Sequence, residues 1–192
     1  MGTPTPSSGK LVVISAPSGA GKTTIAHAML AAFPSLSFSV SATTRPQREN
    51  ETEGKDYFFL SRAEFERRVA AGEFAEWEEI YGNLYGTLKS EISRAAKERH
   101  HLLFDVDVKG ALSLKRLYPE ALLIFIRPPS IEVLIKRLRD RKTEDEETFA
   151  RRMERVAMEM TKADQFDRVC VNDDLERAIA EAKNIIEQYL RV

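Results

Sequence analysis

This chain of 192 residues has a single cysteine, no excess of charge of either sign and no long apolar run. The single cysteine, Cys170, excludes an intramolecular disulfide framework and a cysteine-rich metal site. Cys170 lies in the apolar run 168–171, so we expect it to be a small buried hydrophobic residue. No run has the length of a membrane span, and no signal-peptide pattern opens the chain. These absences favour a cytoplasmic protein without a membrane partner, whose residues 1–9 form a flexible leader.

The charges nearly cancel, with 29 Lys and Arg against 30 Asp and Glu and a formal net charge of −1. A balanced chain has no overall field to attract nucleic acid or an anionic membrane, so any basic site must be local. The three histidines, His27, His100 and His101, have no paired nucleophile and are interpreted as structural. The length fits one compact domain.

The most informative motif is Ala16-Pro17-Ser18-Gly19-Ala20-Gly21-Lys22-Thr23, which matches the phosphate-binding P-loop GxxxxGK[ST] except at its first glycine. An apolar, β-branched run precedes it and a helix-prone stretch follows it, as a strand-loop-helix unit requires. Glycines let backbone N–H groups face phosphate oxygens, Lys22 can reach the β and γ phosphates, and the Thr23 hydroxyl can ligate Mg²⁺. Ala16 fits the position of the first glycine only if its φ stays negative.

Short apolar runs alternate with amphipathic helical stretches, which predicts an α/β fold with a parallel sheet flanked by helices. Strands are predicted at 10–15, 37–41, 101–106, 121–126 and 168–171. Helices are predicted at 22–33, 88–99, 108–118, 130–140, 144–164 and 174–191. Ser61 with Glu64, Ser130, and Thr143 with Glu146 are predicted helix caps. Residues 45–87 interrupt the alternation and predict an inserted β-rich subdomain, and the charged segment after residue 138 predicts a lid.

Arg45 and Arg48 lie three residues apart in a polar loop that leads to Tyr57. Two planar guanidinium groups beside a tyrosine can clamp a second phosphate. Alone, such a loop is more often a solvated surface, but its combination with a P-loop favours the clamp. The following segment offers Glu76 and the run 81–87, whose carboxylate, phenol and hydroxyl groups could read the edge of a base.

Asp105 and Asp107 lie at the end of the predicted strand 101–106, at the position where an open α/β sheet places its ligand chemistry. We expect one carboxylate to face the Mg²⁺-nucleotide and the other to face the second substrate; a pair of turn or helix-capping aspartates is the alternative. Four arginines flank the predicted lid: Arg137, Arg141, Arg151 and Arg152. Solvated salt bridges along charged helices would explain them equally well.

These motifs, in this order, resemble the guanylate kinase family over about residues 11–190. The resemblance rests on the P-loop, Ser41 to Arg48, Gly54 to Tyr57, Glu76-Trp77, Gly82 to Gly86, Asp105 to Asp107, Pro128 to Ser130 and Val171 to Asp173. It implies a P-loop NTPase core (10–42 and 88–192), an inserted NMP-binding subdomain (about 43–87) and a lid (about 139–153). It also implies transfer of the γ-phosphoryl group of ATP to GMP, and to dGMP, giving ADP and GDP in purine nucleotide metabolism and GMP recycling.

The resemblance further implies roles for individual residues. The residues implied in catalysis are Lys22, Arg45, Arg137, Arg141 and Arg152. Arg151 is only a sequence neighbour of Arg152. ATP binding falls to Ala16, Pro17, Ser18, Gly19, Ala20, Gly21, Lys22, Thr23 and Thr24, and the Mg²⁺ that accompanies ATP falls to Thr23. GMP binding falls to Ser41, Arg45, Arg48, Glu51, Tyr57, Glu76, Tyr85, Gly86, Thr87, Asp105 and Asp107.

Two other interpretations stay open at this point. A P-loop GTPase is suggested by 107–110, which fits DxxG, and by Thr161-Lys162-Ala163-Asp164, which fits the base-reading pattern [NT]KxD. In a GTPase, that second motif should directly follow a buried strand, whereas here it comes at the end of a charged helical stretch. A guanylate-kinase-like scaffold without catalysis is the other interpretation, although such a domain is expected to lack the P-loop lysine or the nucleotide contacts.

Overall fold

The computed structural model describes residues 9–139 and 146–191, and within these ranges the chain forms two β-sheets and seven α-helices. The strands are β1 (Leu11–Ser15), β2 (Leu36–Phe38), β3 (Ser41–Thr43), β4 (Tyr57–Phe59), β5 (Phe74–Ile80), β6 (Asn83–Leu88), β7 (His101–Asp105), β8 (Leu122–Arg127) and β9 (Arg168–Val171). The helices are α1 (Lys22–Ala32), α2 (Arg62–Ala70), α3 (Lys89–Glu98), α4 (Val108–Leu117), α5 (Ile131–Arg139), α6 (Glu146–Met160) and α7 (Leu175–Arg191). The predicted leader up to residue 8, Arg141, the Thr143 cap and the rest of 140–145 lie outside the described residues.

The larger sheet is parallel throughout, with strand order β2-β7-β1-β8-β9. Strands β1, β7 and β8 are apolar along nearly their whole length because helices cover both faces of the sheet. The predicted α/β fold with a parallel sheet is therefore confirmed. Cys170 on β9 is buried as expected, and its thiol donates to the carbonyl oxygen of Ala178.

The second sheet has the order β4-β3-β6-β5, with β6 antiparallel to both β3 and β5. One of its faces packs on α2, where Phe65 stacks on Phe74 with the ring centroids 4.3 Å apart. The register pairs Thr87 with both Ser41 and Glu76, so three polar residues lie side by side across three strands. This sheet begins two residues before position 43, where the inserted subdomain was expected to begin.

The prediction of one strand over 37–41 is wrong. The chain leaves the parallel sheet after β2 and enters the second sheet at β3. Between them, the Ser39 N–H donates to Leu103 and the Val40 N–H donates to the buried Glu91 carboxylate, at 2.9 and 3.0 Å. Buried and partly buried residues continue through this junction, so the sequence carries no sign of the change of sheet.

The starts of two helices agree with the capping residues predicted from the sequence. Ser61 accepts a hydrogen bond from the Glu64 N–H and Ser130 accepts one from the Val133 N–H, which confirms both predicted caps. The helix predicted over 144–164 is shorter in the structure: α6 ends at Met160, and a 3-10 turn follows over Ala163–Gln165. No helix in the described ranges is long and apolar enough to cross a membrane.

Candidate active site

The P-loop connects β1 to α1 and wraps around the N-terminus of that helix. Gly19 and Gly21 adopt φ values of 87° and 93°, which side chains disfavour. Within the described residues the non-glycine positions with positive φ are Tyr81 and Arg99, so Ala16 keeps a negative φ. An alanine therefore fits the position of the missing first glycine, and residues 16–24 keep the strand-loop-helix geometry of a phosphate-binding loop.

Lys22 and Thr23 both contact Asp105, at the carboxyl end of β7. The Lys22 ammonium group forms an ion pair with the Asp105 carboxylate and donates to the Val106 carbonyl oxygen at 3.1 Å. The Thr23 hydroxyl donates to Asp105 Oδ2 at 3.3 Å. Asp105 thus links the carboxyl end of β7 to two side chains of the P-loop.

Asn172, just after β9, braces the P-loop from behind. Its side-chain amide donates to the Ala20 carbonyl oxygen at 2.7 Å, and its own carbonyl oxygen accepts from Arg137 at 3.2 Å. One side chain and one backbone group therefore connect the P-loop to an arginine on α5. Sequence reasoning gave Asn172 no role, although a buried polar residue at the carboxyl end of a parallel strand was a usable signal.

The arginine loop is organised around Glu51. Arg45 pairs with both Glu51 oxygens, at 2.7 and 2.9 Å, and the Arg48 N–H donates to the same carboxylate at 2.8 Å. The Arg45 guanidinium group also lies 5.2 Å from the Tyr57 ring centroid, and the hydrogen bond to Glu51 raises the pKa of Arg45. The Arg48 residue is exposed. Glu51 therefore fixes the guanidinium group of Arg45, while Arg48 stays accessible to solvent.

Glu76 is the buried carboxylate of the second sheet. It is 9% exposed, and burial raises its pKa above the ordinary value although Thr87 donates to it at 2.6 Å. Two glycines leave room at this carboxylate and its strand. A Cβ at Gly110 would lie 2.7 Å from Glu76 Oε2, and a Cβ at Gly86 would lie 2.7 Å from the Glu76 carbonyl oxygen. The close approach of α4 and β6 to Glu76 therefore requires a residue without a Cβ at both positions.

Asp107 lies beyond the end of β7 and caps α4, because its Oδ1 accepts from the Gly110 N–H at 2.7 Å. The alternative of a helix-capping aspartate is thus correct for this residue, yet its carboxylate also faces the site. Burial, together with the neighbouring Glu78, raises the pKa of Asp107 to about 7. Burial also works against ionisation of Glu78, but hydrogen bonds from Asp107 and Lys109 outweigh it and lower the pKa of Glu78.

A cleft of about 160 Å³ opens between the P-loop and the second sheet. Its lining comes from both sheets: Lys22, Ser41, Tyr57, Glu76, Glu78, Ile80, Tyr85, Gly86, Asp105, Val106 and Asp107. A wider cavity of about 750 Å³ beside it is lined by Thr23, Arg45, Arg48, Glu51 and Lys55 among others. The structure therefore brings residues predicted for two substrates to adjoining cavities. Sequence reasoning missed Glu78, Ile80 and Lys55 there.

Two arginines predicted for the lid lie in the described residues. Arg137 is on α5 and contacts the P-loop brace, whereas Arg152 is on α6 with its guanidinium carbon 6.0 Å from the Tyr81 ring centroid, near the turn between β5 and β6. Arg151, expected to be only a neighbour, is exposed and pairs with Glu147. Arg141 lies outside the described residues.

The GTPase interpretation fails on position. Its base-reading residues Thr161 to Asp164 follow helix α6 and enter the 3-10 turn, far in sequence from the end of any core strand before them. A base-reading motif directly follows a buried strand, so this interpretation would need a strand in place of α6. The DxxG match at 107–110 instead forms the capped start of α4.

Comparisons with known proteins agree with this geometry. A family model described as guanylate kinase matches residues 8–189. The guanylate kinase of Salinibacter ruber is 52% identical over 182 residues, covering 94% of this chain and 96% of that protein. The guanylate kinase of Chlorobium luteolum is 50% identical over 183 residues, covering 95% and 93%. The crystal structure of guanylate kinase from Anaplasma phagocytophilum superposes with a TM-score of 0.77 at 32% identity and covers 94% of this chain and 86% of that one. With a P-loop and a polar second sheet facing one cleft, this chain belongs to the guanylate kinase family.

Proposed function

We propose that this chain transfers the γ-phosphoryl group of ATP to GMP, giving ADP and GDP, and that dGMP is a second acceptor. The observation that carries the proposal is the pairing of two walls across one cleft. Lys22 and Asp105 form the P-loop wall, and Ser41, Glu76 and Tyr85 form the wall of the second sheet. A donor phosphate held at the first wall and an acceptor nucleotide held at the second would meet between them.

The chemistry needs charge compensation rather than a protein nucleophile. Both substrates are polyanions that must meet in line, so positioning and electrostatic stabilisation supply most of the catalysis in such reactions. Lys22 would exchange Asp105 for the transferring phosphates, and Arg137, Arg141 and Arg152 would add positive charge from the lid side. Arg45 and Arg48 would hold the acceptor phosphate, with the phenols of Tyr57 and Tyr85 beside it. A closing lid would also limit hydrolysis of ATP by water.

Thr23 fits a metal site of the kind that Mg²⁺-ATP requires. Its hydroxyl is exposed at the N-terminal end of α1 and is already oriented by the hydrogen bond to Asp105. A hydroxyl oxygen is a suitable ligand because Mg²⁺ prefers oxygen and takes most of its other ligands from water and substrate phosphates. Bound there, Mg²⁺ would neutralise charge on the phosphates.

Base selection would come from Glu76, helped by Ser41, Thr87 and Asp107. Guanine presents its N1–H and its 2-amino group as donors on one edge, whereas adenine has an acceptor and a C–H there. A buried carboxylate without its donors costs free energy, so this wall favours guanine over adenine. Asp105, which is paired with Lys22, would act on the P-loop side, and Asp107 would act on the base.

A coupled assay of ADP release with ATP and Mg²⁺ tests the proposal against AMP, GMP, CMP, UMP and dGMP. We expect GMP to give the highest kcat/KM and dGMP to be turned over. Equal turnover of the four ribonucleotides would contradict the guanine assignment. ATP consumption only at background rates would instead favour the scaffold interpretation, against which the ion-paired Lys22 and the ordered Arg45 clamp argue.

A further inference from the structure

Arg155 is at the centre of a charge cluster that joins three parts of the molecule. From α6 it donates to Asp107 Oδ2 at 2.5 Å, to Glu78 on β5 at 3.4 Å and to Glu159 on its own helix at 2.8 Å. Its side chain is only 18% exposed, and the three carboxylates are as buried or more so. A basic residue that serves only solubility would not be enclosed by three acids.

The charges of this cluster make Arg155 necessary for it. Three carboxylates converge on one enclosed guanidinium group. Of the other cations nearby, Lys109 contacts Glu78 from a largely exposed position and Lys22 acts on Glu159 without a direct contact to Asp107 or Glu78. Removing the partner of a buried ion pair leaves an uncompensated charge, which is far more costly than loss of a surface pair. Without Arg155, Asp107 and Glu78 would repel each other and Asp107 would turn or take up a proton.

The fixed position of Asp107 matters because it adjoins Glu76. A Cβ at Gly110 would meet both carboxylates, Glu76 at 2.7 Å and Asp107 at 3.0 Å, so the two acids lie on the same side of the start of α4. Gly110 holds one oxygen of Asp107 and Arg155 holds the other. Each oxygen of a carboxyl group offers more than one acceptor position, so these two donors prevent rotation and still leave acceptor capacity for a ligand.

We infer that Arg155 is a positioning residue for the acceptor base: it holds the Asp107 carboxylate in the orientation that receives guanine and attaches α6 to the wall where GMP binds. This inference depends on the proposed function, since it needs GMP as the acceptor. A simple cross-link between α6 and β5 is the competing explanation. Only the positioning role makes the effect of Arg155 depend on the Asp107 carboxylate.

The first experiment compares Arg155→Ala, Arg155→Lys and Arg151→Ala by steady-state kinetics. Arg151 is the matched control, because it is an arginine on the same helix whose side chain is 62% exposed. We expect Arg155→Ala to raise KM for GMP at least about tenfold and to change KM for ATP less than about twofold, because a buried acceptor loses its orienting donor. Arg155→Lys should recover part of the GMP affinity. Arg151→Ala should match the wild type.

A double-mutant cycle with Asp107→Asn separates positioning from cross-linking. If Arg155 acts through Asp107, the double variant will have the KM for GMP of Asp107→Asn alone. Effects of the two substitutions that multiply, or a folded Arg155→Ala with KM for GMP within twofold of wild type, would overturn the inference. If Arg155→Ala does not fold, the same cycle with Arg155→Lys decides. A wild type that fails to phosphorylate GMP would refute the proposed function itself, so the two failures are distinguishable.

Discussion

Thr87 donates a 2.6 Å hydrogen bond to Glu76 across the antiparallel pair of β5 and β6. The bond fixes one oxygen of the buried carboxylate, and the strand pairing places Ser41 on the other side of Thr87. Burial raises the pKa of Glu76 above its ordinary value, and hydrogen-bond donors to the carboxylate favour its charged form. A ligand with two adjacent N–H donors supplies them, which makes this pair the expected origin of base selectivity.

Glu76→Gln should therefore weaken discrimination between GMP and AMP. The amide keeps the shape of the side chain but loses the charge and one acceptor, so we expect kcat/KM for GMP to fall. The GMP:AMP ratio should fall at least about tenfold, or ~1.4 kcal/mol. Thr87→Val should have a smaller effect in the same direction. Both nucleotides are measured for each variant.

Glu79→Gln is the control for that experiment. Glu79 is on the same strand but is exposed and pairs with Arg62, away from the cleft. Its substitution should leave the ratio unchanged. An unchanged ratio in Glu76→Gln would mean that guanine is read elsewhere, with Ser41, Thr87 and the two aspartates next to be tested.

Lys22→Ala should abolish most of the activity without unfolding the protein. Lys22 supplies the charge nearest the transferring phosphates, and loss of such a group costs roughly 10² or more in kcat. Its ion pair with Asp105 is about as enclosed as that of Arg155 with Asp107, so the melting temperature is measured beside kcat to show that the variant is folded. Lys183→Ala, on the exposed side of α7, is the control. Wild-type kcat in Lys22→Ala would show that the P-loop is not the catalytic site.

The two arginine groups should give different kinetic signatures. Arg45→Ala and Arg48→Ala should chiefly raise KM for GMP, because the clamp acts on the bound acceptor. Arg141→Ala and Arg152→Ala should mainly lower kcat, because the lid acts when the site is closed. Steady-state kinetics with GMP and ATP varied in turn give kcat and both KM values for each variant. Loss of GMP affinity from the lid pair alone would reverse the assignment.

Gly21→Ala tests the fit between the P-loop and its brace. Gly21 has φ of 93°, and an added Cβ would overlap the side-chain nitrogen of Asn172. The left-handed backbone alone costs an alanine about 1–2 kcal/mol. Gly72→Ala is the matched control, because Gly72 has φ of 69° and no neighbour within 4 Å of a Cβ. Gly21→Ala should be less stable than this control by chemical denaturation and should bind ATP more weakly; equal stability of the two variants would exclude the overlap.

The sequence predicted what local chemistry determines. The P-loop, the order of helices and strands in the core, the caps at Ser61 and Ser130 and the burial of Cys170 all follow from spacing and residue type over short stretches. Where the chain changes sheet after Phe38, no such signal exists, because residues on both sides are equally suited to a strand. The separate positions of Asp105 and Asp107 likewise depend on where β7 ends.

The site is harder to predict because its contacts join distant segments. Asn172 reaches Ala20 across 152 positions, and Arg155 reaches Glu78 across 77. Arg155 resembles any arginine of a charged helix when it is seen in sequence alone. The positioning role of Arg155 is inferred from its burial among three acidic side chains, which only tertiary packing brings together.

Asp107 should make the stability of the protein fall as the pH rises through neutrality. Burial and Glu78 raise its pKa to about 7 in the folded state, against 3.8 for an aspartate without these influences. Between these values the folded protein binds more protons than the unfolded chain, so the free energy of unfolding decreases with increasing pH. The stabilising contribution of Asp107 is fully present below pH 3.8 and is lost above about pH 7. Asp107→Asn removes the titration, so its stability relative to wild type should increase from pH 5 to pH 8, whatever the constant offset from the contact with Arg155. Urea denaturation of both proteins at several pH values measures this difference, and a difference that stays constant over that range would show that the Asp107 carboxyl group titrates at its ordinary pKa.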